Sequence, residues 1–247
     1  MQIDRSACLK LLNEFGIAPS KDKGQNYLIN PITARRIADA LSTNKDDNVL
    51  EIGPGIGSLT HFLNEKTNNL SVVDIDEQSC NVLRKLYPSL NIINKDALNT
   101  KVDIYECIIS NVPYSITSEL IEYVLLNGTK LRQCVFMVQE DAFKRIVSLK
   151  GKDYGPLSVL LSLKGKTKTL FKVGANDFYP RPKCVSTVFS IDLFDEQNLT
   201  NEQYKVIKTL FTNRRKTLLN NLLLLTSKDK ATSLLEELKL PSTIRPE

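Results

Sequence analysis

The chain has no tryptophan, two methionines and a single histidine, His61. One histidine leaves no basis for Ser-His or Cys-His nucleophilic machinery, nor for a zinc set. The five cysteines (Cys8, Cys80, Cys107, Cys134, Cys184) are odd in number, scattered, and form no CxxC. They read as reduced, mostly core thiols of a cytoplasmic protein that uses no metal. No apolar run is long enough to span a bilayer, and Met1-Gln2-Ile3-Asp4-Arg5 lacks the charged-then-apolar layout of a signal peptide, so no membrane role is expected. There is no internal repeat and no low-complexity tract.

What is present is an ordinary globular composition, 42% hydrophobic and 25% charged over 247 residues. That length accommodates one large domain and one small one. The net charge of +5 is unevenly placed. Residues 141–183 hold ten Lys/Arg against three Asp, and residues 197–247 hold nine against five Asp/Glu. A basic C-terminal half suits a polyanionic partner, although a solvated lysine-rich surface produces the same count.

The apolar pattern predicts an open α/β sheet. Short buried strands are expected at residues 48–52, 70–73, 90–94, 107–110 and 135–138, separated by amphipathic stretches. Helices are expected at 8–15, from Pro31 to Leu41, from Ser58, from Glu77, from Ser115, at 139–149 and at 157–163, and further strands at 168–173 and 185–193. Beyond a composition shift at 195–200, helices are expected at 202–211, 218–225 and 230–239, with 241–247 as a connector. The boundary is placed so that 1–195 form the larger domain and 196–247 a small helical one.

Ligand-type residues follow the strands, where open α/β sheets bind. Gly53-Pro54-Gly55-Ile56-Gly57 succeeds the first strand and opens a helix, so backbone can approach a ligand closely. Asp74-Ile75-Asp76 ends the second strand about 20 residues past the glycine loop, where a doubly wound fold holds ribose hydroxyls. Asp74 is assigned to the ribose and Asp76 to the cap of the next helix. Asp96, beside Ala97, ends the third strand. It is placed either to accept from an adenine amine or to make a plain turn. Gln25 and Asn26 precede a helix start at Pro31, as ligand contacts or as a capped loop.

The fourth strand leads into Asn111-Val112-Pro113-Tyr114. An adenine N6 amine is a poor nucleophile because its lone pair is delocalised into the ring. The Asn111 oxygen and a neighbouring backbone carbonyl, such as that of Val112, can accept both amine hydrogens and so favour the pyramidal nitrogen of the transition state. Tyr114 offers a stacking face for a flipped base. Downstream, Phe178-Tyr179-Pro180-Arg181-Pro182-Lys183 sets aromatics beside cations, a loop suited to stacking a base or serving as a rigid turn with Phe178 in the core.

Together GQNYL (24–28), EIGPGIG (51–57), VVDID (72–76), KDA (95–97), SNVPY (110–114), YGPLSV (154–159), FYPRPKCVSTV (178–188) and NRRKTLLNNL (213–222) resemble the KsgA-type dimethyladenosine transferases of small-subunit ribosomal RNA. The resemblance covers essentially the whole chain. It implies a Rossmann-like methyltransferase domain, S-adenosylmethionine as donor, and an immature small ribosomal subunit as partner. N6-dimethylation of two adjacent adenosines in the 3′-terminal hairpin is the expected reaction, without metal and by a monomer. By the resemblance, Gln25, Asn26, Leu28, Gly53, Gly55, Gly57, Asp74, Ile75, Asp96, Ala97 and Asn111 border the cofactor. Asn111, Val112, Pro113, Tyr114 and Phe178 then lie at the target base, and Lys150, Lys152, Arg181, Lys183, Arg214, Arg215 and Lys216 hold RNA. Asp74 stands where the family usually has Glu, and Val112 where Leu or Ile is common. The chain stops at Arg245-Pro246-Glu247, where relatives usually continue into another helix, so a shortened C-terminal domain is expected. Two alternatives remain open: an Erm-type methylase of large-subunit RNA, and a weakly active RNA-binding assembly factor.

Overall fold

A computed structural model describes residues 1–19, 25–195 and 199–246. Residues 20–24, which the sequence reads in part as a polar, basic linker (20–23), part of the expected boundary (196–198) and Glu247 lie outside the described residues.

In chain order the elements are α1 (Arg5–Glu14), β1 (Tyr27–Leu28), α2 (Pro31–Asp39), β2 (Asn48–Ile52), α3 (Thr60–Lys66), β3 (Asn69–Asp74), α4 (Glu77–Leu86), β4 (Asn91–Asn94), β5 (Cys107–Asn111), α5 (Thr117–Asn127), β6 (Gln133–Gln139), α6 (Glu140–Ile146), α7 (Pro156–Lys164), β7 (Gly165–Val173), β8 (Phe178–Tyr179), β9 (Ser186–Leu193), α8 (Asn201–Leu210), α9 (Leu218–Leu222) and α10 (Lys228–Glu237). Seven strands form one sheet in the order β4-β3-β2-β5-β6-β9-β7. The first five are parallel, while β9 runs antiparallel to both β6 and β7. The chain winds outward in two directions from β2, so the switch point lies at the carboxyl ends of β2 and β5.

Both faces of this sheet are covered, which is why its strands read as unbroken apolar runs. Successive side chains alternate between two cores. Leu50, Ile52, Ile108, Phe136 and Phe189 pack on one face with Leu120, Ile121, Leu160 and Tyr204 from α5, α7 and α8. Val49, Ile109, Val135, Met137 and Val188 pack on the other with Ile37, Phe62 and Leu83 from α2, α3 and α4. Local signals mark some of the helix starts. Asn30 accepts from the Ile32 and Thr33 amides, with Pro31 next in line. Thr200 and Gln203 make a reciprocal capping box on α8.

The departures from the expected elements have physical causes. α6 ends at Ile146 and α9 at Leu222, each before its apolar run is exhausted, and Leu223, Leu224 and Leu225 stand in solvent. β7 starts at Gly165, directly after α7, where β9 comes so close that an added Cβ would meet the Asp192 carbonyl at 2.5 Å, an approach glycine allows. The short β1·β8 pair, Tyr27 opposite Tyr179 and Leu28 opposite Phe178, joins segments 150 residues apart and has no local signature. Tyr204 of α8 belongs to the core of the sheet, while Leu222, Ala231 and Leu235 form a separate small cluster. No helix among the described residues is long and apolar enough to cross a membrane.

Candidate active site

A cleft of about 440 Å³ opens at the switch point, lined from the carboxyl ends of β2, β3, β4 and β5 and from the segment around β1. Gln25, Asn26, Leu28, Gly53, Gly55, Asp74, Ile75, Asp96, Ala97, Asn111, Val112, Pro113 and Tyr114 all border it. Segments separated by up to 90 residues of sequence thus meet at one place, because parallel strands bring their ends to the same edge.

Backbone and carboxylates shape the floor. Asp74 reaches over the glycine loop, its Oδ2 accepting from the Gly55 amide (3.2 Å) and its Oδ1 from the Asp76 amide (2.9 Å). The Ser58 hydroxyl donates to the Leu28 carbonyl at 2.6 Å and so ties the β1 segment down on the loop. Gly55 has φ +55°, and a Cβ there meets the Tyr27 ring at 3.2 Å. Asp96 accepts from the Leu98 amide at 2.9 Å and still lines the cleft, so its turn bond leaves it at the cleft edge. Ile75 is 71% exposed on the cleft wall, an apolar face for a planar ring.

The end of β5 supplies the polar tip. The Val112 amide donates to the Met137 carbonyl at 3.0 Å, and Thr117 donates to the carbonyls of Pro113 and Tyr114, fixing the turn from both sides. The Asn111 side-chain amide has no hydrogen-bond partner among the described residues and borders the cleft. Tyr114 is half-buried beside it. Burial raises its phenol pKa, with the Ser186 hydroxyl opposing.

Several assignments change. Asp76 occupies the N-cap position of α4 but makes no side-chain cap bond. Its Oδ2 accepts instead from the Gln25 amide (3.2 Å) and the Ser79 hydroxyl (3.1 Å), and it borders the cleft. Gly57 lies outside the cleft lining. Its φ is +94° and a Cβ meets Leu83 at 2.9 Å, so the glycine serves the packing of α4. Phe178 is 3% exposed in the core under β8 and does not line the cleft. Lys150, Lys152, Arg181, Lys183, Arg215 and Lys216 are exposed, whereas Arg214 turns inward and donates to the Gly151 and Tyr154 carbonyls.

Glu51 was not among the expected site residues. It is 1% exposed, lines the cleft, and accepts from the Thr60 hydroxyl at 2.6 Å. Burial pushes its carboxyl up to about 8, the Thr60 hydrogen bond opposing and the Asp74 charge adding to the rise. An acid inside an otherwise apolar strand was the available signal, since a buried carboxylate needs a reason.

A doubly wound sheet with a glycine loop at its switch point, acids after two neighbouring strands and an amide-Pro-aromatic turn after a third defines a Rossmann-like methyltransferase of the S-adenosylmethionine-dependent class. The model of the ribosomal RNA adenine dimethylase family matches residues 19–245, and the chain belongs to that family. It is 38% identical over 239 residues to the Ribosomal RNA small subunit methyltransferase A of Malacoplasma penetrans, covering 92% of this chain and 86% of that one. It is 39% identical over 225 residues to the protein of the same name from Parabacteroides distasonis, covering 86% and 84%. In fold it is similar to a dimethyladenosine transferase from Plasmodium falciparum (TM-score 0.77, 24% identity, 89% of this chain and 91% of that one). The 23S rRNA methyltransferase ErmE also matches in fold (TM-score 0.64, 22% identity, 90% and 95%).

Proposed function

We propose that the protein dimethylates N6 of two adjacent adenosines in the 3′-terminal hairpin of small-subunit rRNA, using S-adenosylmethionine, as a cytoplasmic monomer acting during ribosome assembly. The observation that carries this reading is the Asn111 side-chain amide at the end of β5, without a hydrogen-bond partner among the described residues, beside Tyr114 and in the same cleft as Asp74 and Asp96. The name shared by the relatives at 38% and 39% identity favours the small-subunit target over the Erm branch.

The cleft fits the donor. Its acids sit where a ribose and an amine would present hydrogens, and the exposed Ile75 side chain suits a flat ring. Asp74 and Asp96 would hold those groups, with Gln25, Asn26 and Leu28 covering them. When bound, S-adenosylmethionine supplies an electrophilic methyl group. Asn111 accepts one amine hydrogen and a carbonyl of the same turn the other, which orients the nitrogen lone pair. Tyr114 stacks on the base. No dedicated base is needed, since a methylated ammonium-like nitrogen loses its proton readily. Residues 1–195 carry this chemistry, and 196–247 are read as a helical module that adds RNA contacts.

The test is to incubate the protein with labelled S-adenosylmethionine and undermethylated small or large ribosomal subunits and to map the label. Dimethyladenosine in the 3′ hairpin of the small-subunit RNA is the expected result. Label confined to large-subunit RNA, or none despite calorimetric cofactor binding, overturns it.

A further inference from the structure

We infer that Arg214 is a positioning residue, which pins the turn at 151–154 to the turn at 213–217 so that Lys150, Lys152, Arg215 and Lys216 form one phosphate-binding surface. The inference rests on the rRNA reading above and adds to it how the surface is assembled.

Three observations carry it. First, Arg214 Nη2 donates to the Gly151 carbonyl (3.1 Å) and also to the Tyr154 carbonyl, across 63 and 60 residues of sequence. The positive φ of Gly151 (+73°) turns the chain there, and both carbonyls reach one nitrogen. The Tyr154 ring meets Phe211 edge-on at 5.5 Å in the same joint. Second, the turn that carries Arg214 is itself held from inside. Asn221, fully buried, accepts from the Asn213 amide (2.9 Å) and donates to the carbonyls of Asn213 (3.2 Å) and Thr217 (3.1 Å). A buried amide with its groups satisfied this way rigidifies a turn.

Third, the cations flanking the bracket stand apart from their neighbours. Lys150, Lys152, Arg215 and Lys216 are exposed and make no ion pair among the described residues. Lys144 and Lys172 are both drawn to Glu140, and Lys208 to Glu122. Lys150 and Lys152 flank one acceptor of the bracket, Gly151, and Arg215 and Lys216 follow its donor, so the bracket ties the two cation-bearing turns together. Arg214 commits its Nη2 to the two carbonyls, which leaves the phosphates to the exposed cations on either side.

The experiment is a mutant cycle on the full-length protein: wild type, Arg214→Ala, the double variant Lys150→Ala/Lys152→Ala, and the combined triple. Affinity for undermethylated small ribosomal subunits, KM and kcat are read for each. Arg214→Ala is expected to weaken binding roughly tenfold and to raise KM by a similar factor while kcat holds within about twofold. The triple is expected to bind within about twofold of the weaker parent, since the bracket and the lysines act as one unit. Amide hydrogen exchange at 151–154 quickens in Arg214→Ala and returns part of the way in Arg214→Lys. Calorimetric cofactor binding reports that each variant is folded. Should Arg214→Ala fail to fold, the same cycle with Arg214→Lys decides. Losses that multiply independently in the triple mean that Arg214 contacts phosphate itself and overturn the proposal, as does wild-type affinity in Arg214→Ala. Wild-type protein that binds no subunit overturns the rRNA reading instead, and the exchange result still decides the bracket.

Discussion

At the cleft, Asp74, Asp76, Asp96 and Glu51 are held by amides and hydroxyls close to the strand ends, and the wall beside them is apolar. At the joint between the 151–154 and 213–217 turns, four cations stand in solvent, and Arg214 and Asn221 help to fasten the backbone beneath them. The first arrangement suits a small ligand whose charge and ring must be desolvated, where low dielectric magnifies each contact. The second suits phosphates, which stay hydrated and are read as charge. Variants in the two regions are therefore expected to separate cleanly, those in the cleft changing chemistry and cofactor affinity, those in the joint changing RNA affinity and its salt dependence.

The largest effect belongs to Asn111. If Asn111 acts as proposed, Asn111→Ala removes an acceptor used mainly as the nitrogen becomes pyramidal, and turnover is expected to fall on the order of 10²–10³-fold. Cofactor affinity measured by calorimetry should stay within about threefold of wild type, because uniform binding is not what the amide supplies. Equal losses in both would assign Asn111 to cofactor binding alone.

The next contrast lies between two glycines of one loop. Gly55 and Gly57 both have positive φ (+55° and +94°), so alanine at either costs about 1–2 kcal/mol of stability. At Gly55 the added Cβ presses on Tyr27 at the cleft, at Gly57 on Leu83 of α4. Gly55→Ala is expected to weaken cofactor binding beyond its loss in Tm, and Gly57→Ala to lower Tm while cofactor affinity is retained. The same affinity loss in both would mean that the loop moves as one piece.

Glu51 gives a smaller effect, visible through pH. Its folded pKa of about 8 lies above the unfolded glutamate value near 4.3. The neutral carboxyl therefore contributes its full stability below about 4.3, loses it as pH rises toward about 8, and contributes none above. Glu51→Gln keeps an acceptor for Thr60 and removes the titration. In the absence of ligand its Tm is expected to gain on wild type by a few degrees between pH 5 and pH 9. Parallel curves would mean that Glu51 is ionised throughout.

The central strands and the cleft were largely legible because each left a local mark: apolar runs covered on both faces, glycines after β2, acids after β3 and β4, an amide after β5. Family motifs then fixed their order. What stayed hidden depends on partners distant in sequence. Nothing within NRRK distinguishes Arg214 from Arg215, since its acceptors lie some 60 residues upstream. Position alone assigns Asp76 to a helix cap, whereas in the fold its carboxylate accepts from Gln25, 51 residues away, and from Ser79. The 178–183 stretch reads either as a base-stacking loop or as a rigid turn with Phe178 in the core, and the pairing with Leu28 decides for the core. The composition shift at 195–200 likewise does not reveal that Tyr204 reaches back into the core of the sheet.

That last contact offers the finest test of how the two regions communicate. Glu122 of α5 accepts from the Tyr204 hydroxyl (3.0 Å) and from Lys208 Nζ (2.9 Å), so α8 is fastened to the helix that starts at the Asn111 turn. The carboxylate is partly exposed, at 27%, and the lysine more so, so the ion pair is worth at most about 1 kcal/mol. Glu122→Gln keeps an acceptor for Tyr204 and loses the charge. It is expected to lower Tm by a few degrees at most and to leave kcat on the subunit near wild type. A fall in kcat larger than the change in stability would mean that α5 carries the placement of α8 to the catalytic turn, and that cleft and joint are one mechanical unit.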